Sequence, residues 1–203
     1  MGISERKERE KGEMKKMITT AAMKMFLEDG YAKTSIRNIA DSIEYSPGTI
    51  YLYYKDKDEL LYEVQGQAFL KLLEAFRTDA ISTDPVKRLE QLGKIYVAFG
   101  LENPELYDLM FIIRAPMNVD EELHKDNGAE TFFYLLRCLE ECIEKKLLIF
   151  KDPMQAALQV WSMMHGLVSL NLRCRLKVML PDEGDVKPVL FKAVDEYLDS
   201  IRV

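Results

Sequence analysis

At 203 residues, 48% of them hydrophobic, the chain has the makings of one sizeable domain or a small module joined to a larger one, and nothing in it reads as disordered. Its net charge of −6 argues against a protein coated in nucleic acid, although a local basic surface can sit inside an acidic total. No apolar run approaches the roughly 20 residues of a membrane span, and the charged opening MGISERKERE has no signal-peptide core, so a cytoplasmic location is expected.

Met14, Met17, Ile18, Ala21, Ala22, Met25 and Phe26 recur at intervals of three and four, which predicts a first amphipathic helix ending where Gly30 can take the left-handed cap. The run SERKEREKGEMKK before it reads as a fraying first turn. Thr34-Ser35 is an N-cap pair for a second helix built on Ile36, Ile39, Ala40 and Ile43. Ser46-Pro47-Gly48 resembles a turn, but proline is tolerated in a helix's first turn, so Ser46 caps and Pro47 opens a third helix. KDKDELLYEVQGQAFLKLLEAF continues as a long fourth helix. Five more helical segments follow, at about 85–101, 104–114, 120–148, 153–177 and 185–202, with prolines at their boundaries. No segment alternates over a strand's length, and the fold class is all-α with nine helices. MQAALQVWSMMHGLVSLNL is apolar around most of its circumference, and VLFKAVDEYL carries a second stripe. These two terminal helices suit either the centre of a monomer or pairing with a second chain.

Helices two and three are joined by a turn of three to four residues, the spacing of a helix-turn-helix. On the third helix Ile50 and Tyr54 share the face that packs inward, while Thr49, Tyr51, Leu52 and Tyr53 point elsewhere and Gly48 lets a partner's backbone approach. An exposed tyrosine offers a flat apolar body and one hydroxyl, suited to sugar–phosphate and thymine methyls. Lys55 and Lys57 follow, and Thr34, Ser35 and Arg37 stand at the start of helix two, where hydroxyl-capped N-termini make phosphate sites. Taken alone the tyrosines are equally readable as core filling and the lysines as an ordinary solvated face.

The run TTAAMKMFLEDGYAKTSIRNIADSIEYSPGTIYLYYKDKDELL resembles the DNA-binding domain of the TetR (tetracycline-repressor) family of transcriptional regulators, over about residues 14–62. The resemblance implies a DNA-binding head at 1–62 and a ligand-binding and dimerisation body at 63–203. It implies that Thr34, Ser35 and Arg37 contact the DNA backbone. Gly48, Thr49, Tyr51 and Tyr53 would lie at the major groove and Lys57 would hold a phosphate; Ser46 and Lys55 complete the DNA-binding candidates. It further implies a homodimer paired through the last two helices, operator DNA and a small-molecule effector as partners, and repression as the mode of action. ENPELYDLMF and WSMMHGLVSL resemble the branch of the family named for a Trp-His-Gly pattern. Two features depart from expectation. Residues 1–64 hold 11 Lys/Arg against 12 Asp/Glu, and position 37, which would complete a capping box with Thr34, is arginine.

The C-terminal half is rich in large soft side chains. Phe99, Tyr107, Phe111, Phe133 and Trp161 are candidate walls of a ligand cavity, and Arg114, Arg137 and His165 are the polar groups that would orient a guest. The competing reading makes the aromatic stripe ordinary core, His165 a satisfied core histidine and Arg137 the partner of a nearby acid. Cys138 and Cys142, one helical turn apart, read as small apolar residues on one buried face. No nucleophile–base set, metal-ligand spacing or phosphate loop is visible, so neither an enzyme nor a cofactor is expected. The alternative to a ligand-responsive regulator is a helical small-molecule carrier that no longer binds DNA, for which the head's lack of net positive charge is the support.

Overall fold

Most helix starts follow caps written into the sequence. Asp84 accepts from the backbone N–H groups of Val86 (2.9 Å) and Lys87 (3.2 Å), with Pro85 at the first helical position. Asp152 does the same for Met154 (2.9 Å) and Gln155 (3.2 Å) ahead of Pro153. The computed structural model describes residues 2–113, 128–180 and 184–203. In chain order it contains α1 (Ile3–Glu28), α2 (Ile36–Ser42), α3 (Pro47–Tyr51), α4 (Lys57–Asp79), α5 (Pro85–Glu102), α6 (Pro104–Tyr107), a π-helical turn (Asp108–Ile112), α7 (Ala129–Glu144), α8 (Pro153–Leu172), α9 (Arg175–Met179) and α10 (Lys187–Ser200). The one pairing outside helices among the described residues is an isolated bridge between Leu148 and Arg202. The fold is all-α, as the periodicity predicts, and no helix of the described residues is long and apolar enough to cross a membrane.

Three boundaries differ from the sequence reading. The charged N-terminal run is the start of α1, where Arg6–Glu10 (2.7 Å) and Arg9–Glu13 (3.6 Å) pair one turn apart on exposed side chains; such pairs add about 0.3–0.5 kcal/mol each to a helix. The segment expected at 104–114 is one α-helical turn followed by the π turn. The segment expected at 153–177 is broken where Cys174 takes a left-handed conformation (φ 56°), its N–H bonded to the Asn171 carbonyl at 2.8 Å, so the described residues carry ten α-helices rather than nine. The start of the segment expected at 120–148 lies outside the described residues.

The described residues divide into two units, one of residues 2–68 and 108–113, the other of 69–107, 128–180 and 184–203. In the first, Ile18, Ala22 and Phe26 of α1, Ile36 and Ile39 of α2, Ile50 of α3 and Leu60, Leu61 and Val64 of α4 form one core, which Leu109 of the π turn joins. Gly30 closes α1 at φ 84°, the left-handed region that only glycine occupies without strain. In the second unit α5 is central and packs on α7, α8 and α10. Its core face carries Leu89, Leu92, Tyr96 and Val97. Cys138 and Cys142 are buried free thiols on α7, as expected for small apolar residues.

Gly100 on α5 is the tightest point of that packing. A Cβ there would lie 2.5 Å from Val168 of α8 and 3.0 Å from the Tyr107 ring, both far inside van der Waals contact. Gly100→Ala is therefore expected to destabilise the protein by about 1–3 kcal/mol, although alanine is the better helix former. Urea denaturation of the two proteins checks this, and a neutral or raised midpoint contradicts it.

Candidate nucleic-acid interface and effector site

Ser46 caps α3 through a bond from the Thr49 N–H (3.3 Å), and its hydroxyl also meets the Thr49 hydroxyl at 3.1 Å. The turn before it uses Glu44 in the left-handed region (φ 60°). Ile50 is buried and Tyr54 is 2% exposed, whereas Tyr51 is 54% exposed and Leu52 80%. Five helical residues thus present an inner face of Ile50 and an outer one of Gly48, Thr49 and Tyr51. Tyr53 is half-buried and packs on the core of the first unit, so it does not match Tyr51 in exposure.

On α2 the cap is Ser35. It accepts from the Asn38 N–H at 3.1 Å, and the Asn38 side chain accepts from the Ser35 N–H at 3.1 Å. The reciprocal box expected between Thr34 and position 37 is displaced by one residue and complete. Arg37 is left exposed, with no ion-pair partner among the described residues. Thr34 corrects the expectation of a backbone contact through its side chain. It is 3% exposed, and its hydroxyl donates to the carbonyls of Gly30 (3.0 Å) and Met25 (3.3 Å).

Lys57 differs from expectation in the same way. Its ammonium donates to the carbonyls of Tyr31 (2.9 Å) and Thr34 (3.0 Å) and lies 4.1 Å from the centre of the Tyr31 ring. Burial, together with the bond that its hydroxyl donates to Asp58, pushes the Tyr31 phenol's pKa upward. Two of the three donors that would hold a phosphate are spent tying the start of α4 to the α1–α2 joint. The neighbouring acids are also occupied: Asp56 accepts from the Glu59 N–H at 2.8 Å and Glu59 from the Lys55 N–H at 2.5 Å. Lys55 keeps an exposed side chain.

In the second unit Tyr96, Tyr107, Trp161 and His165 meet. The Trp161 indole donates to the Tyr96 hydroxyl at 3.1 Å, the two hydroxyls are 3.0 Å apart, and His165 Nδ1 lies 2.6 Å from the Tyr107 oxygen and 3.2 Å from that of Tyr96. Tyr107 stacks on the imidazole with ring centres 5.5 Å apart, and Phe132 and His165 stand edge-on to Trp161 at 6.0 and 6.2 Å. Burial lowers the His165 pKa and raises that of Tyr96 to about 12, so both are neutral near pH 7. Which of the two donates in the 2.6 Å bond between Tyr107 and Nδ1 is set by the tautomer of the imidazole.

Similarity to known proteins decides the family. A profile described as bacterial regulatory proteins, tetR family, matches residues 18–64, and one described as tetracyclin repressor-like, C-terminal domain, matches residues 89–194, more than half the chain. The chain belongs to the TetR family. An uncharacterised HTH-type transcriptional regulator of Haemophilus influenzae is 29% identical over 97 residues, 47% of this chain and 52% of that protein. The HTH-type transcriptional regulator HbdR of Aromatoleum sp. (strain CIB) is 44% identical over 50 residues, 25% of this chain and 22% of that one. The chain thus spans about half the length of the first of these relatives and less of the second. Similar folds are a protein of unknown function from Rhodococcus sp. RHA1 (TM-score 0.76, 21% identity, 93% of this chain and 95% of that one) and the fatty acid degradation regulator FadR of Bacillus halodurans (TM-score 0.66, 21% identity, 91% and 93%).

In this TetR-family chain Tyr107, Trp161 and His165 come together, while the other effector candidates scatter. Phe99 is half-buried on α5, and Phe133 is exposed on α7 against Phe132. Phe111 lies in the π turn, in the first unit. Arg137 corrects the expectation of an orienting group: it is exposed, 3.8 Å from Glu130 and 5.9 Å from the Tyr134 ring. Arg114 lies outside the described residues. Tyr96 is one of the large soft side chains that the sequence shows in this half, but it is not among the ligand-contact candidates. Its signal is a hydroxyl on an otherwise apolar stripe, which must find a partner when buried.

The two cations of the head separate by experiment. Lys57→Met is expected to lower stability by about 1–3 kcal/mol, the worth of a charged group's hydrogen bonds. Arg37→Ala should leave the denaturation midpoint alone and reduce the slope of log affinity against log salt by about 0.9 for each phosphate that is no longer neutralised. DNA titrations across a salt series, with urea curves alongside, check both; the opposite assignment of effects refutes the division. For His165, a folded-state pKa below its unfolded value means that the unfolded chain takes up the proton first. Stability should then decline as pH falls below about 6.5. His165→Gln should flatten that decline in denaturation curves taken between pH 7.5 and 5.

Proposed function

We propose that the protein is a homodimeric, DNA-binding transcriptional regulator of the cytoplasm, a repressor released from a near-palindromic operator by a small apolar or amphipathic effector. The observation that carries this reading is a two-residue link in the chain. Tyr107 is buried in the aromatic hydrogen-bonded cluster, and Leu109, two positions on, is part of the core of the DNA-binding unit. The Leu109 carbonyl accepts from the buried side chain of Gln65 on α4 at 2.7 Å. An effector that displaces Tyr107 acts, through one turn of backbone, on a residue packed beside α1, α2 and α3. Coupling of that kind is typically worth about 1–3 kcal/mol and is reciprocal between DNA and effector.

Dimerisation has support from one ridge of α8. Met154, Leu158 and Leu170 are exposed apolar residues four and twelve positions apart, and a Cβ at Gly166, which lies between the last two, would meet nothing within 4 Å. Val189, Ala193 and Tyr197 of α10 are half-buried at the same four-residue spacing. A twofold pairing of these helices covers apolar surface that one chain leaves in water, and a two-headed dimer reads half-sites about 34–36 Å apart on DNA. In the DNA interface Arg37, Ser46, Gly48, Thr49, Tyr51 and Lys55 take the leading roles, with Ser35 at a helix N-terminus. The carrier alternative loses its support, because Asp56, Asp58 and Glu59 are engaged in caps and the Tyr31 bond rather than facing a partner as free acids.

The test uses the full chain and the DNA upstream of its own coding sequence. Tyr51→Ala is expected to weaken specific binding about 10- to 100-fold, the cost of about 1–3 kcal/mol of base discrimination, while sedimentation still shows a dimer. Unchanged affinity for that DNA, or a concentration-independent monomer, overturns the two-headed reading.

A further inference from the structure

We propose that the N-terminal part of α1 is a cationic ledge, made of Lys7, Lys11 and Lys15, that holds the sugar–phosphate backbone of DNA beside the groove read by α3. The inference rests on the DNA-binding reading of the head and adds a contact outside the helix-turn-helix.

α1 is longer than the core it serves. Its 26 residues reach about 39 Å at the rise of an α-helix, yet among the described side chains Met14 is the first along it to pack on the core of the head. Every residue from Ser4 to Glu13 is exposed, so about 15 Å of helix stands clear of that core.

The charges on this projecting part are sorted by face. Arg6 pairs with Glu10 and Arg9 with Glu13, and helical geometry puts all four on the side turned away from the core. The Glu5 carboxylate accepts from the Gly2 N–H at 2.8 Å. Lys7, Lys11 and Lys15 recur at intervals of four, so they form one line that drifts by only about 40° per step and covers about 12 Å. The line shares its direction with Ile18 and Ala22, which α1 sends into the core. Lys7 and Lys11 are exposed with no ion-pair partner among the described residues, and Glu8 is the one acid at the edge of the line. Pairing thus neutralises the back of the helix and leaves its front with three cations to one carboxylate.

Lys15 fixes where the ledge begins. Its ammonium lies 5.5 Å from the centre of the Tyr54 ring, and the Tyr54 N–H donates to the Ile50 carbonyl of α3 at 3.0 Å. The line therefore starts beside the end of the reading helix and leads away from it. An α-helix fills a major groove about 12 Å wide, so a row of cations beginning at its end meets the phosphates that border the groove. Lysine suits the task, because its ammonium is a point charge on a flexible stem that needs no fixed phosphate geometry. Such contacts add affinity and register without reading sequence.

The full chain is titrated by fluorescence anisotropy with the DNA upstream of its own coding sequence and with an unrelated duplex of equal length, over about 50 to 200 mM salt. Lys7→Ala combined with Lys11→Ala should weaken both duplexes in the same proportion. It should lower the slope of log affinity against log salt by about 0.9 per phosphate released, at most about 1.8 for each head, so that its disadvantage shrinks about threefold per phosphate across that range. Lys24→Ala, at an exposed lysine on the opposite side of α1, should change neither slope nor affinity. The urea midpoint of the double variant should match the wild type, since both lysines precede the core. A wild-type slope in the double variant, with Arg37→Ala still lowering it, would overturn the ledge and leave the DNA-binding reading intact. An equal loss from Lys24→Ala would reduce the effect to overall charge and overturn it as well. A loss confined to the upstream DNA would mean base recognition and overturn the phosphate assignment. If the wild-type chain binds neither duplex, the DNA-binding reading fails and this inference with it.

Discussion

The bond from the Tyr107 hydroxyl to His165 Nδ1 is the constraint on which the body of this protein depends. A tyrosine with no exposed surface leaves water cheaply only when its hydroxyl is paired, since an unpaired one costs about 1–3 kcal/mol. Here the pairing links the direction of the Tyr107 hydroxyl to the tautomer of the imidazole. The backbone makes room for it: Gly100 has no side chain where the Tyr107 ring passes. Three helices, α5, α6 and α8, are thereby held by polar contacts inside an otherwise apolar core. Such a network specifies one arrangement more sharply than apolar packing does. It also places this aromatic cluster immediately before the π turn, since Tyr107 ends α6.

In the head the corresponding device is the Lys57 ammonium, held by two carbonyls and an aromatic face. It joins α4 to the α1–α2 joint, and Asp58 joins the same joint from the next position through Tyr31. The near balance of charge in residues 1–64 looks unsuited to DNA only while all the charges are counted alike. Once Lys57, Asp56, Asp58 and Glu59 are assigned to internal work, the exposed charged side chains on and beside α2 and α3 are Lys33, Arg37 and Lys55 against Asp41 and Glu44. The electrostatic footprint is a property of which charges remain outside, and the formal sum does not report it.

Much of this is legible in the sequence. Helical periodicity, the Ser46-Pro47 start and the Asp-Pro caps mark elements by local rules, and local rules survive folding. The inward pair Ile50 and Tyr54 follows from a spacing of four. The misreadings share one cause, which is dependence on distant partners. Thr34 and Lys57 have the right chemistry for phosphate, but their donors go to carbonyls supplied by the end of α1 and the joint after it. Arg137 stands out in the sequence as a charge in an apolar stretch, yet it sits on the outer face of α7 beside Glu130. Tyr96 is not among the ligand-contact candidates because a tyrosine in a stripe of leucines and valines resembles core; only the fold brings Trp161 and His165 to its hydroxyl.

The π turn follows Tyr107 in the chain and carries Leu109 into the core of the head. π-Helical turns are rare and occur mostly as single turns, frequently at functional sites. Here the turn begins immediately after Tyr107, and the Ile113 N–H closes it on the Asp108 carbonyl at 2.9 Å. Its surroundings compensate for the wider form, with Leu109 buried in the head core and its carbonyl taken by Gln65. On the proposed reading this is the natural place for a signal to cross. A segment held in a less favourable backbone form by side-chain contacts at its start and its centre has two anchors, and loosening either one shifts the balance at the other. A regular helix in the same place would have kept its own hydrogen bonds whatever happened to Tyr107, and would have transmitted less.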